Sequence, residues 1–220
     1  MELISMFVEY RSYFLAGVQY TLLLAAISVV CGFILGLGIA MLRMSSWRVV
    51  RFFGHAWVEF LRGTPMMVQL LIIHYGLAFM FDINFSPIQS GAITLSINSS
   101  AYLAEIFRAG IQAVDRGQGE AARSLGMTKG MAMRHIIIPQ AIKSVLPAIG
   151  NEFITIIKES SIVSIIGTTE LIFQSQSVVT ITYDGMTPYL IVAILYFVLT
   201  FTLSRILGIF ERKLKTSDQR

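Results

Sequence analysis

The chain has 220 residues, 55% of them hydrophobic and only 14% charged, with a mean hydropathy of +0.70. Soluble domains carry about 25% charged residues, so the solvent implied here is lipid; a chain this apolar is not disordered, and Cys31, its single cysteine, excludes a disulfide scaffold. The formal net charge of +4 does not by itself point to nucleic acid, because the placement of the charges decides their role.

From the N-terminus, Ser12–Leu42 is an uncharged run of 31 residues. About 20 apolar residues cross a bilayer, so a first span is expected over roughly 13–42. Within it Gly32, Gly36 and Ala40 recur every fourth position and line one helix face with small residues. That stripe suits close packing inside the chain or a seam between two copies. Trp47 and Trp57 follow and read as interfacial anchors. A second span is expected over about 54–81, disturbed where Pro65 lacks an N–H. A third starts near Ile88, after the loop-like Asn84-Phe85-Ser86-Pro87, and runs past Glu105 to about 113. The hydrophilic stretch Asp115–Lys143 fits two short helices, with Gly126 as a left-handed stop and Thr128 as the next N-cap. Pro139 then stops or redirects the chain. Residues 143–167 are long enough to cross but contain Glu152, Lys158 and Glu159, a polar fourth span. A fifth covers about 186–209.

The basic residues test that count. Five crossings with the N-terminus outside put 15 of the 17 Lys and Arg on the cytoplasmic side, in the first loop, the Asp115–Lys143 loop and the tail that includes Lys215 and Arg220. Arg11 stays outside with Glu2, Glu9, Asp82, Glu170 and Asp184, and Lys158 lies within the fourth span. Such asymmetry follows the positive-inside rule. The expected fold is therefore all-α, a single polytopic domain of five transmembrane helices over residues 1–220.

The loop carries the most specific motif. Glu120-Ala121-Ala122, three residues, Gly126, nine residues, Ile136, one residue, Ile138-Pro139 resembles the EAA motif of ABC-importer permeases, with Ile138 where that family has Leu. Glu59–Pro65, Asn98–Tyr102, Gly150–Phe153 and Lys158–Ser160 are similar to the polar amino-acid branch, the histidine, glutamine and arginine type. The resemblance extends over about 16–212. It implies a cytoplasmic coupling helix that contacts an ATPase through Gln118, Glu120, Ala121, Arg123, Ser124, Leu125 and Gly126. It also implies two ATP-binding subunits, a second permease chain, and an extracytoplasmic amino-acid-binding protein in a bacterial inner membrane. Independently, none of the five lysines follows a glycine, so the usual phosphate-binding loop is missing. ATP and Mg would sit on the partner, and this chain needs no cofactor of its own.

The polar residues of the spans are not scattered. At 100° per residue Asn151, Glu152, Thr155, Lys158 and Glu159 occupy an arc of about 120°. Asn98, Tyr102 and Glu105 stack on one face of the third span. An acid or lysine at a helix centre costs about 2.5–3.5 kcal/mol, so these groups face protein, water or one another. The substrate-contact candidates are Asn151, Glu152, Thr155, Asn98, Tyr102, Thr64 and Gln69, lining a mid-membrane cavity for a zwitterion. Glu105, Lys158 and Glu159 read as structural ion-pair residues. A carboxylate at 152 suits the cationic end of arginine, lysine or histidine, yet equally an α-amino group, which leaves glutamine open. The three histidines show no metal spacing. The expected function is the permease subunit of an ATP-driven importer of polar amino acids, working by alternating access. Two other classes compete. A membrane-tethered helix-turn-helix regulator would use Ala122–Thr128 on nucleic acid, against the tether and the acid at Glu120. An intramembrane enzyme would use Glu152 or Glu159, without any nucleophile or metal set.

Overall fold

The computed structural model describes residues 2–216, with side chains as far as 213; Lys215 and Arg220 of the basic tail lie outside the described side chains. Among the described residues every regular element is a helix. In chain order they are α1 (Glu2–Glu9), α2 (Arg11–Arg43), α3 (Arg48–Gly63), α4 (Met66–Leu71), α5 (Leu77–Phe81), α6 (Pro87–Gln112), α7 (Arg116–Ser124), α8 (Lys129–Ala132), α9 (Ile138–Glu159), α10 (Leu171–Thr182) and α11 (Thr187–Thr216). Wide π turns at Ile72–Gly76 and Met133–Ile137 join α4 to α5 and α8 to α9, and a 3-10 turn, Ser160–Ile166, extends α9. Two described helices, α2 and α11, are long and apolar enough to cross a membrane, and α3 with Met66–Phe81 passes only as a bent pair. The polar helices α6 and α9 have 26 and 22 residues, about 39 and 33 Å at 1.5 Å per residue.

The small-residue stripe is an intramolecular seam. Gly32, Gly36 and Ala40 are buried against α6. A Cβ on Gly36 would lie 2.9 Å from both the Ser100 carbonyl oxygen and Leu103 Cβ, and one on Gly32 3.0 Å from Ser99. Backbones this close leave no room for a larger side chain. Below the seam Ala40, Val58, Leu61, Ala101, Leu103 and Phe107 form one core cluster. At the other end Gly17 admits the backbone of α10, with Leu171 Cα 2.8 Å from its virtual Cβ.

Local signals set most boundaries. Ser86 and Gln89 form a reciprocal capping box with Pro87 in the first turn of α6. Gly126 ends the α7 turn at φ 88°, and the Thr128 hydroxyl accepts the Met131 N–H at the start of α8. The segment expected as one span over 54–81 is bent by 104°. Pro65 forces Thr64 into extended backbone, φ −114° and ψ 144°. Pro139, expected to stop or redirect the chain, instead sits in the first turn of α9, and α8 to α9 run on as one helix. The π turn before it explains why: the Ile138 N–H reaches back five residues to the Met133 carbonyl, widening the helix where a proline ring would crowd it. Two helices have no counterpart in the sequence reading, α1 and α10. The buried Glu170 begins α10, its carboxylate accepting the N–H groups of Ile172 at 2.9 Å and Phe173 at 2.8 Å. Tyr196 Oη on α11 donates to the same carboxylate at 3.0 Å.

Candidate functional site

Glu152 is the one acid of the polar stripe that the fold buries, at 8% exposure. It projects from α9 toward α6, where Ser99 Oγ donates to its Oε1 at 3.0 Å. Ser99 is itself buried beneath Gly32, so the small-residue seam brings α2, α6 and α9 together at this carboxylate. A buried carboxylate is stable only with hydrogen bonds or a counter-cation, and Ser99 supplies one hydrogen bond. The site is therefore a carboxyl group inside an apolar body, with acceptor capacity left for a donor-bearing group such as an ammonium. Its neighbours on the stripe diverge: Asn151 is exposed and Thr155 half-buried.

Thr64, Gln69 and Asn98 are brought together, but with one another. Gln69 Nε2 donates to Leu61 O at 2.8 Å, Thr64 O at 3.2 Å and Thr64 Oγ1 at 2.9 Å. Asn98 Nδ2 donates to Gln69 Oε1 at 3.1 Å, which leaves the Asn98 carbonyl oxygen buried without a partner. This network fills the bend between α3 and α4 and takes up carbonyls that the broken helix would otherwise leave orphaned. Tyr102, one turn further along α6, is half-buried beneath the Arg62 guanidinium, 5.3 Å from its ring centre.

The three residues expected in ion pairs separate. Glu105 is held on one oxygen by Arg43 Nη1 at 2.5 Å and also bonded by Arg108. Arg43 Nη2 lies 3.4 Å from His55 Nδ1, so the cluster ties the end of α2 and the middle of α3 to α6. Lys158 and Glu159 form no ion pair among the described residues, being consecutive on a helix and about 100° apart. Lys158 is exposed and borders a cleft of about 370 Å³ with Tyr189 and Tyr196 of α11.

The motif-bearing helix α7 opens the chain's polar loop. Ala122 is its buried anchor at 4% exposure, whereas Gln118, Glu120, Ala121, Arg123, Ser124 and Gly126 are exposed, and Leu125 is 84% exposed. A groove of about 630 Å³ separates α7 from α8, bordered by Asp115, Glu120, Arg123, Lys129 and Ile137. The turn after α7 opens into the continuous α8–α9 rod, so no free recognition helix of the helix-turn-helix kind is present among the described residues. No cluster of three or more His, Cys, Asp or Glu side chains able to hold a metal occurs among them either. The sequence reading missed Ser99 as the partner of Glu152, and Arg43 and Arg108 as the partners of Glu105. Spacing along one helix carries no information about which side chain of another helix faces it.

The chain is similar to known proteins in family, in sequence and in fold. Residues 28–216 match the family described as binding-protein-dependent transport system inner membrane component. A putative glutamine transport system permease protein, GlnP, of Rickettsia bellii is 39% identical over 201 residues, covering 91% of this chain and 92% of that protein. The arginine transport system permease protein ArtQ of Bacillus subtilis is 37% identical over 206 residues, 94% of each chain. A crystal structure of an amino acid ABC transporter with histidines superposes with a TM-score of 0.93 at 50% identity, over 97% of this chain and 99% of that one. The MetNI methionine ABC transporter, captured in an inward-facing conformation, shares the fold at a TM-score of 0.77 and 18% identity, over 92% and 96% of the two chains.

Proposed function

The chain belongs to the inner-membrane components of binding-protein-dependent transport systems, and from that premise we propose that it is the permease subunit of an ATP-driven importer of polar amino acids, with basic ones favoured by Glu152. The relatives named for glutamine and arginine transport, and the structure solved with histidines, support an amino-acid substrate. The observation that carries the reading is the display of α7: one small residue, Ala122, anchored, and an acid, small side chains and Leu125 turned outward. A short helix so presented fits a cleft in a cytoplasmic partner. In this reading α2, the α3–α5 segment, α6, α9 and α11 make five crossings with the N-terminus outside. Polar α6 and α9 cross because their buried polar groups are met inside the protein, Glu152 by Ser99, Asn98 by Gln69 and Glu105 by Arg43.

The mechanism follows from the same parts. ATP and Mg bind two partner subunits, whose closure displaces α7 and, through the helical run from α8 into α9, the segment that carries Glu152. A second copy of the permease completes the path, and an external receptor delivers the amino acid. Rocking of the two halves exposes Glu152 alternately to either side. The test is to purify the chain with its ATPase and measure ligand-induced thermal stabilisation by arginine, lysine, histidine, glutamine and glutamate. Stabilisation by the cationic amino acids, lost in Glu152→Gln, is the expected result. Equal stabilisation in wild type and Glu152→Gln refutes the role of this carboxylate.

A further inference from the structure

Helix α3 is divided into three faces along its length. Counting 100° per residue from Arg48, its buried residues Gly54, Val58 and Leu61 fall between about 220° and 280°. Arg51, Arg62, His55, Arg48 and Glu59 occupy the next arc, about 300° through zero to 20°, and all are exposed. Val49, Phe53, Phe60 and Trp57 occupy about 100° to 180°, also exposed, Phe53 by 64% and Phe60 by 62%. An outer surface split between charge and aromatic rings matches neither bulk water nor hydrocarbon; it matches the boundary between them. The 104° bend sets α3 steeply off the axis of Met66–Phe81, so the two do not continue as one straight span. Trp47, 75% exposed, stands at its start, where an indole prefers the headgroup level. Three arginines against one acid set the sign of the surface it meets.

We propose that α3 is an in-plane helix that binds anionic phospholipid headgroups through Arg48 and Arg51 while Phe53 and Phe60 sit among the upper acyl chains. The proposal rests on the membrane reading above but not on the substrate, so a failed ligand-stabilisation assay leaves it standing. Trp47 and Trp57 are the chain's two tryptophans, which makes intrinsic fluorescence a reporter of this helix. The full-length chain is reconstituted in phosphatidylcholine nanodiscs containing equal amounts of brominated phosphatidylglycerol or brominated phosphatidylcholine, with bromines near the headgroup or near the chain end. Headgroup-proximal bromines are expected to quench more strongly than deep ones. Brominated phosphatidylglycerol is expected to quench about two-fold more than its neutral counterpart at low salt. Arg48→Gln with Arg51→Gln should bring that ratio to about one, and Arg48→Lys with Arg51→Lys should keep it, since charge rather than shape is read. Equal quenching by the two lipids in the wild type overturns the proposal, as does stronger quenching by deep bromines. Absence of quenching by any bromolipid also overturns it, and would assign α3 to a protein partner such as a second copy.

Discussion

Gly36→Ala adds one methyl group where α2 meets α6, and its effect can be worked out in advance. The new Cβ would lie 2.9 Å from the Ser100 carbonyl oxygen and 3.1 Å from the Ala104 amide nitrogen. Favourable non-bonded separations are about 3.5–4.0 Å, so α6 must recede by roughly half an ångström. Backbone atoms cannot swing aside as a side chain does, and overpacking of this kind costs about 1–3 kcal/mol. Alanine also returns up to about 1 kcal/mol of helix propensity, which masks part of the loss. Gly38→Ala isolates that gain, because Gly38 is two residues away on the same helix with no atom within 4 Å of its virtual Cβ. The difference between the two variants is the packing term, expected as a Tm gap of about 2–12 °C for a chain of this size. Thermal unfolding in detergent, followed by retention of the monodisperse peak, measures it. Identical Tm values for Gly36→Ala and Gly38→Ala would show that the helices are not in contact at this seam, and the reasoning would fail.

Glu105→Gln leaves Arg43, 7% exposed, without its ion partner and should lower stability by about 3 kcal/mol. Arg108→Gln, which removes the half-exposed partner, should cost under about 1 kcal/mol by the same denaturation assay. Gly126→Val places a β-branched residue at φ 88° and should strain the turn by about 2 kcal/mol, uncoupling ATP hydrolysis from uptake in proteoliposomes; full coupling would contradict the assigned role of α7. Asp184 precedes α11, and hydrogen bonds from Thr187 and from the Met186 N–H hold its carboxyl below the ordinary aspartate range. Its stabilisation is complete above the unfolded value near pH 4 and is lost as pH falls through the lower folded value. Asp184→Asn should therefore narrow the Tm difference between neutral and acid buffers, and an unchanged difference would refute the assignment.

Much of this was legible from single residues. Pro65 announced the break in the second segment, because a missing N–H acts within one turn, and Gly126 and Thr128 announced the α7–α8 turn for equally local reasons. Gly32, Gly36 and Ala40 announced close packing, although only the fold could assign that packing to α6. What stayed hidden was the partner of each polar group. Glu152 was visible as an acid in an apolar run, but Ser99 stands 53 positions away on another helix. Gln69 and Asn98 read as ligand-facing residues, and only the fold shows the hydrogen bond between them at the bend, which leaves the Asn98 carbonyl oxygen unpartnered. Helix α10 escaped because its start depends on Glu170, a charge counted only for its side of the membrane, which acts as a buried cap. Pro139 misled because a π turn absorbed the constraint that usually ends a helix.

The braced bend at Thr64–Pro65 has a mechanical consequence. An unsatisfied break would be a free hinge, its two arms swinging independently. With Gln69 holding Leu61 and Thr64 on one side and Asn98 on the other, the corner is a stiff crank mounted on α6. Sixteen residues of α3 give an arm of about 24 Å. A tilt of about 5° at the corner therefore sweeps its far end through about 2 Å. Small rotations of the rod Met66–Phe81 would be magnified at Arg48, and forces applied there would be geared down on the way in.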